Sequence, residues 1–252
     1  MRFRLTLGLL LLLAPAAQAA GLNLAWDHCL PDGGVNVKKF ACTSNAGVSE
    51  VVGSFIPAQV HPRFVGIEVQ VEVQSESTAL PDWWQVFNSG SCRESSISAA
   101  MDFTRRPQGG CSDPFGTTAF GGIGAYVTAN KPRPDYQPRP NSARLMMAAA
   151  IMGTSTLSAG TEYYCVWLTI DHESSASGAC SGCSSPVCLT LSQVTLYDDT
   201  PIDPNGGQSQ PPVYERITTV AQNNLIGWQD TGPACQSNVK NKTWGQLKSL
   251  YR

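Results

Sequence analysis

The chain has 252 residues, of which 14% are charged, and its formal net charge at pH 7 is −2. A balance so close to neutral excludes the general basic surface that holds nucleic acid or anionic membranes. The 23 glycines and 17 prolines punctuate the whole sequence, which is typical of many short strands joined by turns.

The N-terminus has the three parts of a secretory signal peptide. Arg2 and Arg4 give it a cationic start, residues 5–13 form an apolar run, and Ala17–Ala19 has the small residues of a cleavage site. The apolar run is too short for a lasting membrane anchor, and no later stretch approaches membrane-spanning length. We therefore expect an exported protein, either extracellular, periplasmic or at the cell surface, with no transmembrane segment in the mature chain.

Strand patterns follow the signal peptide almost without interruption. The clearest alternates Val65, Ile67, Val69, Val71 and Val73 with polar residues, as a half-buried antiparallel strand does. Ten runs are predicted as strands: 22–26, 36–42, 48–56, 63–74, 95–103, 121–129, 143–152, 161–171, 187–197 and 213–220. Their number and spacing predict an all-β protein, an antiparallel β-sandwich of immunoglobulin-like or jelly-roll type.

Three segments are expected along the chain: a signal peptide at 1–19, one sandwich domain at 20–235 and a C-terminal segment at 236–252. The proline-rich stretch 131–141 interrupts the strand pattern, because proline is excluded from helices and central strands. It could be a domain linker, a polyproline ligand or a stiff loop between two strands. The loop is preferred, because the strands on either side need each other to close a core.

Export also makes disulfide bonds the expected state of most of the nine cysteines. Eight of them are predicted to form four disulfides that staple the loops: Cys29, Cys42, Cys92, Cys111, Cys180, Cys183, Cys188 and Cys235. The stretch CSGCSSPVC (180–188), here the cysteine loop, could also be half of a zinc site or a redox motif. No second CxxC completes a zinc site, and the Ser/Gly-rich context does not suit a redox helix, so a stapled loop is preferred.

The expected pairing is mostly local, although sequence spacing cannot fix connectivity. Cys29 is paired with Cys42 in this expectation, and Cys92 with Cys111. Cys235 takes one partner from the cysteine loop, whose two remaining thiols could pair with each other.

Cys165 differs from the other cysteines because it lies inside the strand pattern EYYCVWLTID. We expect it to be a buried free thiol that packs as a small hydrophobe. Two residues before it, Tyr163 follows a glycine turn, which resembles the tyrosine corner of immunoglobulin-like sandwiches. The hydroxyl of Tyr163 should then bond to the backbone upstream.

The last ten residues, TWGQLKSLYR (243–252), are predicted to form a short amphipathic helix. Thr243 and Gln246 have the spacing of a capping box, and Trp244, Leu247 and Tyr251 contribute to an apolar stripe. Two interpretations are open: a helix packed on the sandwich, which is preferred, or a tag that export or anchoring machinery recognises.

Three motifs carry a resemblance to a known family: LPDWW (80–84), CSGCSSPVCLTL (180–191) and the C-terminal TWGQLKSLYR. Together they resemble a family of uncharacterised secreted proteins of environmental bacteria. The resemblance implies an exported bacterial protein. It implies no activity, ligand or catalytic residue.

The sequence contains no signature of an enzyme active site or of a cofactor-binding loop. His28 adjoins Asp27 and His172 adjoins Asp171, but adjacent residues of a strand point to opposite faces. Neither pair can therefore form a catalytic dyad within a regular strand. We expect a protein that is not an enzyme and that needs no cofactor.

Two groups of residues are candidates for binding. Trp83 and Trp84 could form an aromatic platform for a sugar, but filling the core, as most sandwich tryptophans do, is the preferred interpretation. Asp198, Asp199, Asp203 and Asn205 form a weak candidate for a calcium site, since calcium takes oxygen ligands, although the same residues are common in turns.

The sequence therefore favours a secreted, non-enzymatic extracellular or cell-surface protein that acts in adhesion, assembly or ligand binding. Its partner would be an extracellular protein or a glycan. The alternative is a carbohydrate-binding module of a secreted polysaccharide-processing system.

The intact mass of the exported protein tests the signal peptide and the disulfides together. It should lack residues 1–19 and fall about 8 Da below the fully reduced value, because each of four disulfides removes two hydrogens. Mass spectrometry with and without reductant measures the difference. Stoichiometric zinc in the purified protein would contradict the prediction.

Overall fold

The computed structural model describes residues 20–176, 178, 180–199 and 214–229. Strands make up 49% of the structure and helix 3%, which confirms the predicted all-β class. The strands are β1 (Gly21–Trp26), β2 (Val37–Lys38), β3 (Val48–Ile56), β4 (His61–Ser75), β5 (Ile97–Ala100), β6 (Phe120–Thr128), β7 (Ser142–Leu157), β8 (Tyr163–Asp171), β9 (Val187–Asp198), β10 (Tyr214–Ile217) and β11 (Leu225–Trp228). Two 3-10 helices, Leu30–Asp32 and Asp82–Trp84, complete the described elements.

Several predictions concern residues outside these ranges. They are the signal peptide at 1–19, the calcium candidates Asp203 and Asn205, the bond of Cys235, and the helix at 243–252 with the segment 236–252 that contains it. The described helices have three residues each, and no helix among the described residues could span a bilayer.

The strands form two sheets. The smaller sheet has the order β1-β3-β8-β5, and the larger has the order β2-β11-β9-β4-β7-β6 with β10 also paired to β9. All pairs are antiparallel except β2 with β11. Between the described strands the chain changes sheet seven times, after β1, β2, β3, β4, β5, β7 and β8. Buried apolar side chains of both sheets form one continuous core cluster, so that each sheet covers the apolar face of the other.

The alternation predicted for β4 holds over most of its length. Ile67, Val69 and the following odd-numbered valines are buried, and Glu68 between them is exposed. At the start of β4 the register shifts between Phe64 and Gly66, so that Phe64 is fully buried and Val65 is only partly buried. The predicted core position of Val65 is therefore wrong. A bulge adds one residue to a strand, so the residues before it point to the opposite face from the one that the alternation predicts.

The disulfides are long-range, and the predicted local pairs are wrong. Cys29 is bonded to Cys111, 82 residues away. Cys42 is bonded to Cys183, 141 residues away. Neither cysteine therefore pairs with its near neighbour, because the sandwich brings distant loops together.

The cysteine loop is stapled to two other parts of the chain rather than to itself. Cys92 is bonded to Cys180, so the expected bond from Cys92 to Cys111 is also wrong. Cys188 is disulfide-bonded as well. Since Cys180 and Cys183 both bond outside the loop, the expected bond between two thiols of the loop does not form.

Cys165 is a free thiol and is fully buried, as the strand pattern indicated. It lies in the middle of β8, next to Gly53 of β3. A Cβ atom added to Gly53 would lie 2.7 Å from the side chain of Val166 and 3.0 Å from Sγ of Cys165. The glycine therefore makes room for the two side chains of β8. Burial raises the pKa of the Cys165 thiol well above its ordinary value, and the nearby charge of Glu162 raises it further.

Tyr163 makes the backbone contact that its position predicted. The N–H of Ser158, five residues upstream, donates a hydrogen bond to the Tyr163 hydroxyl at 2.9 Å. Gly160 lies between them with a φ of 76°, in the left-handed region that favours glycine. The bond ties the turn between β7 and β8 to the start of β8.

The proline-rich stretch 131–141 lies in the connection between β6 and β7. β6 ends at Thr128, and β7 begins at Ser142. The two strands pair with each other, so the preferred interpretation as a loop within one sheet is confirmed. Tyr136 anchors the middle of this loop. Its hydroxyl donates to a carboxylate oxygen of Glu72 on β4 at 2.5 Å.

The burial of Cys165 predicts its reactivity. In the native protein the thiol should resist alkylation at pH 8, because burial keeps it from the reagent and disfavours the thiolate. After unfolding it should react at once. Peptide mapping that found Cys165 labelled under native conditions, or in a disulfide, would contradict the assignment.

Candidate functional site

Trp83 and Trp84, the speculative candidates for a sugar-binding platform, are core residues. They lie in the 3-10 helix Asp82–Trp84 and are 0% and 1% exposed. Their ring centroids are 5.1 Å apart, and each ring also packs against Trp228, at 4.6 Å and 5.4 Å. The preferred interpretation, that these tryptophans fill the core, is confirmed, and the speculative one, that either ring faces a ligand, is wrong. A helical turn, unlike a strand, allows two consecutive side chains to enter the same core.

A buried arginine holds this tryptophan cluster in place. The guanidinium of Arg93 lies 3.9 Å from the ring of Trp83 and donates to the backbone carbonyls of Trp83, Asp171 and Glu173. Burial lowers the pKa of Arg93 to about 10, although Asp171 and Glu173 oppose the shift. Its donors bind backbone oxygens of the fold, so Arg93 serves the core rather than a ligand.

Asp198 and Asp199, the two candidate calcium ligands that lie among the described residues, contact basic side chains of the protein. Asp198 lies 3.1 Å from Nδ1 of His61, whose other ring nitrogen is 2.7 Å from a carboxylate oxygen of Glu215. Asp199 forms an ion pair with Arg63. Asp198 and Asp199 therefore have different partners, and their arrangement does not support calcium binding.

One described group has the spacing of metal ligands: Cys29, Cys111 and Glu162. The two sulfur atoms are joined in a disulfide, so neither is a thiolate that could hold a metal. Glu162 accepts hydrogen bonds from Asn23 at 2.8 Å and from Ser54 at 2.5 Å. The carboxylate thus links β1, β3 and the turn before β8.

One histidine contacts a possible nucleophile. Oγ of Ser49 lies 2.7 Å from Nε2 of His172, but Ser49 is only 2% exposed. Burial lowers the pKa of His172, and the charge of Arg93 lowers it further. A substrate cannot reach a hydroxyl held in this position, so the pair does not form a catalytic site.

The remaining candidate is the outer face of the larger sheet, which sequence reasoning did not single out. We define this outer face by residues that point away from the core: Glu68, Gln70 and Glu72 of β4, Phe120 and Gly124 of β6, Arg144, Met146, Ala148 and Ala150 of β7, and Tyr197 of β9. The alternation in β4 could have revealed it, since its polar half carries a row of carboxylates and amides rather than lysines.

Three hollows lie on this outer face. The largest, about 500 Å³, is bordered by Glu68, Tyr197 and Phe120, with Ala148 and Ala150 lining its floor. A second, about 220 Å³, shares Glu68 and Ala148 with the first, so the two adjoin. Small residues thus form a shallow surface between polar and aromatic walls.

The third hollow, about 390 Å³, lies against the proline-rich loop and is bordered by Glu72 and Tyr136. Nε of Arg144 donates to Glu72 at 2.5 Å, and the guanidinium lies 3.3 Å from the ring of Tyr136. Burial raises the pKa of Tyr136, and the hydrogen bond to Glu72 raises it further. These three side chains fix the loop as a wall of the outer face.

Charge and aromatic groups occur side by side near the first hollow as well. Burial raises the pKa of Tyr197, and a hydrogen bond to Glu68 contributes to the rise. Phe120 is 64% exposed at the edge of the hollow. The outer face can therefore offer hydrogen-bond acceptors and aromatic surface to one ligand.

No model of a known protein family matches this chain. A comparison with curated protein sequences gives no match either. The assignment of a function therefore depends on the geometry of the chain itself.

The buried position of Trp83 has a measurable consequence. Trp83→Ala should lower the free energy of unfolding by about 3–5 kcal/mol, because it leaves a cavity beside Trp228. Ser98→Ala, at an exposed position of β5, is the control and should change stability by less than about 0.5 kcal/mol. Urea unfolding measures both. A near-neutral Trp83→Ala would show that the ring is not packed in the core.

Proposed function

We propose that the protein is an exported, non-enzymatic binding protein that acts in adhesion, assembly or ligand recognition through the outer face of its larger sheet. The observation that carries this proposal is the grouping of three hollows on that one face, bordered by acceptor and aromatic side chains. Binding sites are typically concave and mostly apolar, with a few fixed polar groups. The hollows of the outer face are shallow, but they combine apolar side chains with a few fixed polar groups.

The position of the outer face on a sheet also supports recognition. The backbone of β4 is hydrogen-bonded on both sides, to β7 and to β9. Side chains such as Glu68 and Gln70 are therefore presented on a rigid support, which reduces the entropy lost when a ligand binds.

The disulfides support an oxidising location, in the extracellular space or the periplasm. Secretion by the signal peptide at 1–19 is part of the same proposal. The family resemblance, which implies an exported bacterial protein, agrees with it.

The sheet orders favour an immunoglobulin-like sandwich over a jelly roll. In immunoglobulin domains strands A, B, E and D form one sheet, and G, F and C the other, which C′ and C″ extend. The orders β1-β3-β8-β5 and β11-β9-β4-β7-β6 follow these two series. Three departures make it a variant. β5, in the D position, precedes β6 and β7; β6, in the C″ position, precedes β7 in the C′ position; and Tyr163 begins the strand in the E position rather than F.

The alternative function is a carbohydrate-binding module. The buried Trp83 and Trp84 no longer support it, but the first hollow does. Tyr197 and Phe120 offer aromatic surface for the apolar side of a sugar, and Glu68 offers acceptors for its hydroxyl groups. A neutral polysaccharide would suit this combination.

Binding to a glycan array and to intact producing cells tests the proposal. Glu68→Ala and Tyr197→Ala should each weaken binding at least about tenfold, or about 1.4 kcal/mol. Ser98→Ala on the other sheet is the control and should not. Binding to glycans would favour the carbohydrate module, and binding to cells alone would favour adhesion. Full binding by both outer-face variants would reject the outer face as the site.

A further inference from the structure

One edge of the larger sheet lacks the protection that the other edges have. β2 and β5, the edge strands at two of the four sheet ends, have only two and four residues. The edge of β1 is covered, since the N–H groups of Leu22 and Leu24 donate to the carbonyls of Thr219 and Asn223. β6, at the remaining end, has nine residues. Short length and coverage are ordinary means of preventing edge-to-edge pairing. β6 is not short, and although β5 of the smaller sheet lies close to it, no backbone group of the described residues outside β7 hydrogen-bonds to its first half.

The first half of β6 is also uncharged and exposed. The strand FGGIGAYVT contains no charged residue and no proline. Within the described part of the chain, the backbone hydrogen bonds of Phe120–Gly124 run to β7 alone. One row of backbone donors and acceptors therefore remains available along this edge.

Gly122 of β6 has no explanation within a single copy of the chain, whereas Gly124 lies at the register shift against β7, where a glycine is common. A Cβ atom on Gly122 would meet nothing within 4 Å, and one on Gly124 would meet only the carbonyl of Met146, at 3.8 Å. Neither glycine has a φ in the left-handed region. Glycine within a strand weakens it, and it often marks a place where another backbone approaches closely.

We propose that two copies of the chain pair along β6, antiparallel and centred on Gly122, so that the larger sheet continues from one copy into the other. This register places Phe120 of each copy opposite Gly124 of the other. Phe120 and Gly124 both border hollows on the outer face, so the exposed ring covers the glycine across the strand pair. Aromatic residues compensate for strand glycines in this way.

A second copy suits this edge better than an unrelated partner for two reasons. The strand carries no charge, so two identical strands do not repel each other when they lie side by side. The exposed Phe120 and the open Gly124 complement each other about a two-fold axis, as an isologous contact requires. The register shift at Gly124 ends the pairing, since it bends the strand after that residue. The inference concerns the sheet edge and does not depend on the ligand of the outer face.

Sedimentation of the full exported chain over a range of concentrations tests the pairing. The wild-type protein should pass from monomer to dimer, and Gly122→Lys should raise the dissociation constant at least about tenfold by placing two lysines at the axis. Phe120→Ala should also weaken the dimer, since it removes the ring that covers Gly124. Val48→Lys, at an exposed position of the smaller sheet, is the matched control and should leave the dissociation constant unchanged.

Hydrogen exchange at 120–124 distinguishes the occupants of the edge. Protection that increases with protein concentration, and that is lost in Gly122→Lys, would support the dimer. Protection independent of concentration would show that another segment of the same chain covers the edge, and would overturn the proposal. A monomer at concentrations up to about 1 mM, or a dimer unaffected by Gly122→Lys and Phe120→Ala, would overturn it as well.

Discussion

Trp228 is the residue on which the organisation of the sandwich depends most. Its ring stacks on Phe40 at 4.0 Å and packs against Trp83 and Trp26, and its indole N–H donates to the carbonyl of Cys183 at 2.6 Å. These contacts join the last described strand to the first strand, to the helix at 82–84 and to the cysteine loop. Each buried ring of this size removes a large apolar area from water, so the cluster stabilises the contact between both ends of the described chain.

The disulfides reinforce the same region. The bond from Cys42 to Cys183 lies beside the tryptophan cluster, and the bond from Cys92 to Cys180 ties down the segment that follows the helix. Bonds that close loops of this length remove much of the freedom of the unfolded chain, about 4–5 kcal/mol each in the chain-entropy account. Aromatic rings and disulfides thus stabilise the same region of the sandwich.

The outer face of the larger sheet contributes little to the stability of the fold. Glu68 and Gln70 face solvent or shallow hollows, while the opposite side of β4 provides core residues such as Val69 and Val71. Pairs such as Glu72 and Arg144 are partly exposed, and ion pairs of that kind contribute little to stability. A face with this composition can change its ligand without loss of the fold, which is how binding sites arise on rigid scaffolds.

Local patterns were sufficient for most strands of this protein. The alternation of residues predicted ten runs that correspond to β1 through β10, and the sequence context of Cys165 indicated a buried free thiol. Such properties depend on neighbours within a few positions, so they can be read without the fold. The strand β11 escaped prediction, because four residues ending in Trp228 are too short to show a period.

Properties that depend on distant residues were decided by the tertiary structure alone. The partners of Cys29 and Cys42 were wrong in the sequence prediction, because eight cysteines allow 105 pairings and loop closure favours near neighbours only slightly. A core position for Trp83 and Trp84 was the preferred prediction, but only the structure identified their partner, Trp228, more than 140 residues away in the chain. The outer face likewise combines residues of four strands, and no local pattern records that β6, β7, β4 and β9 are neighbours.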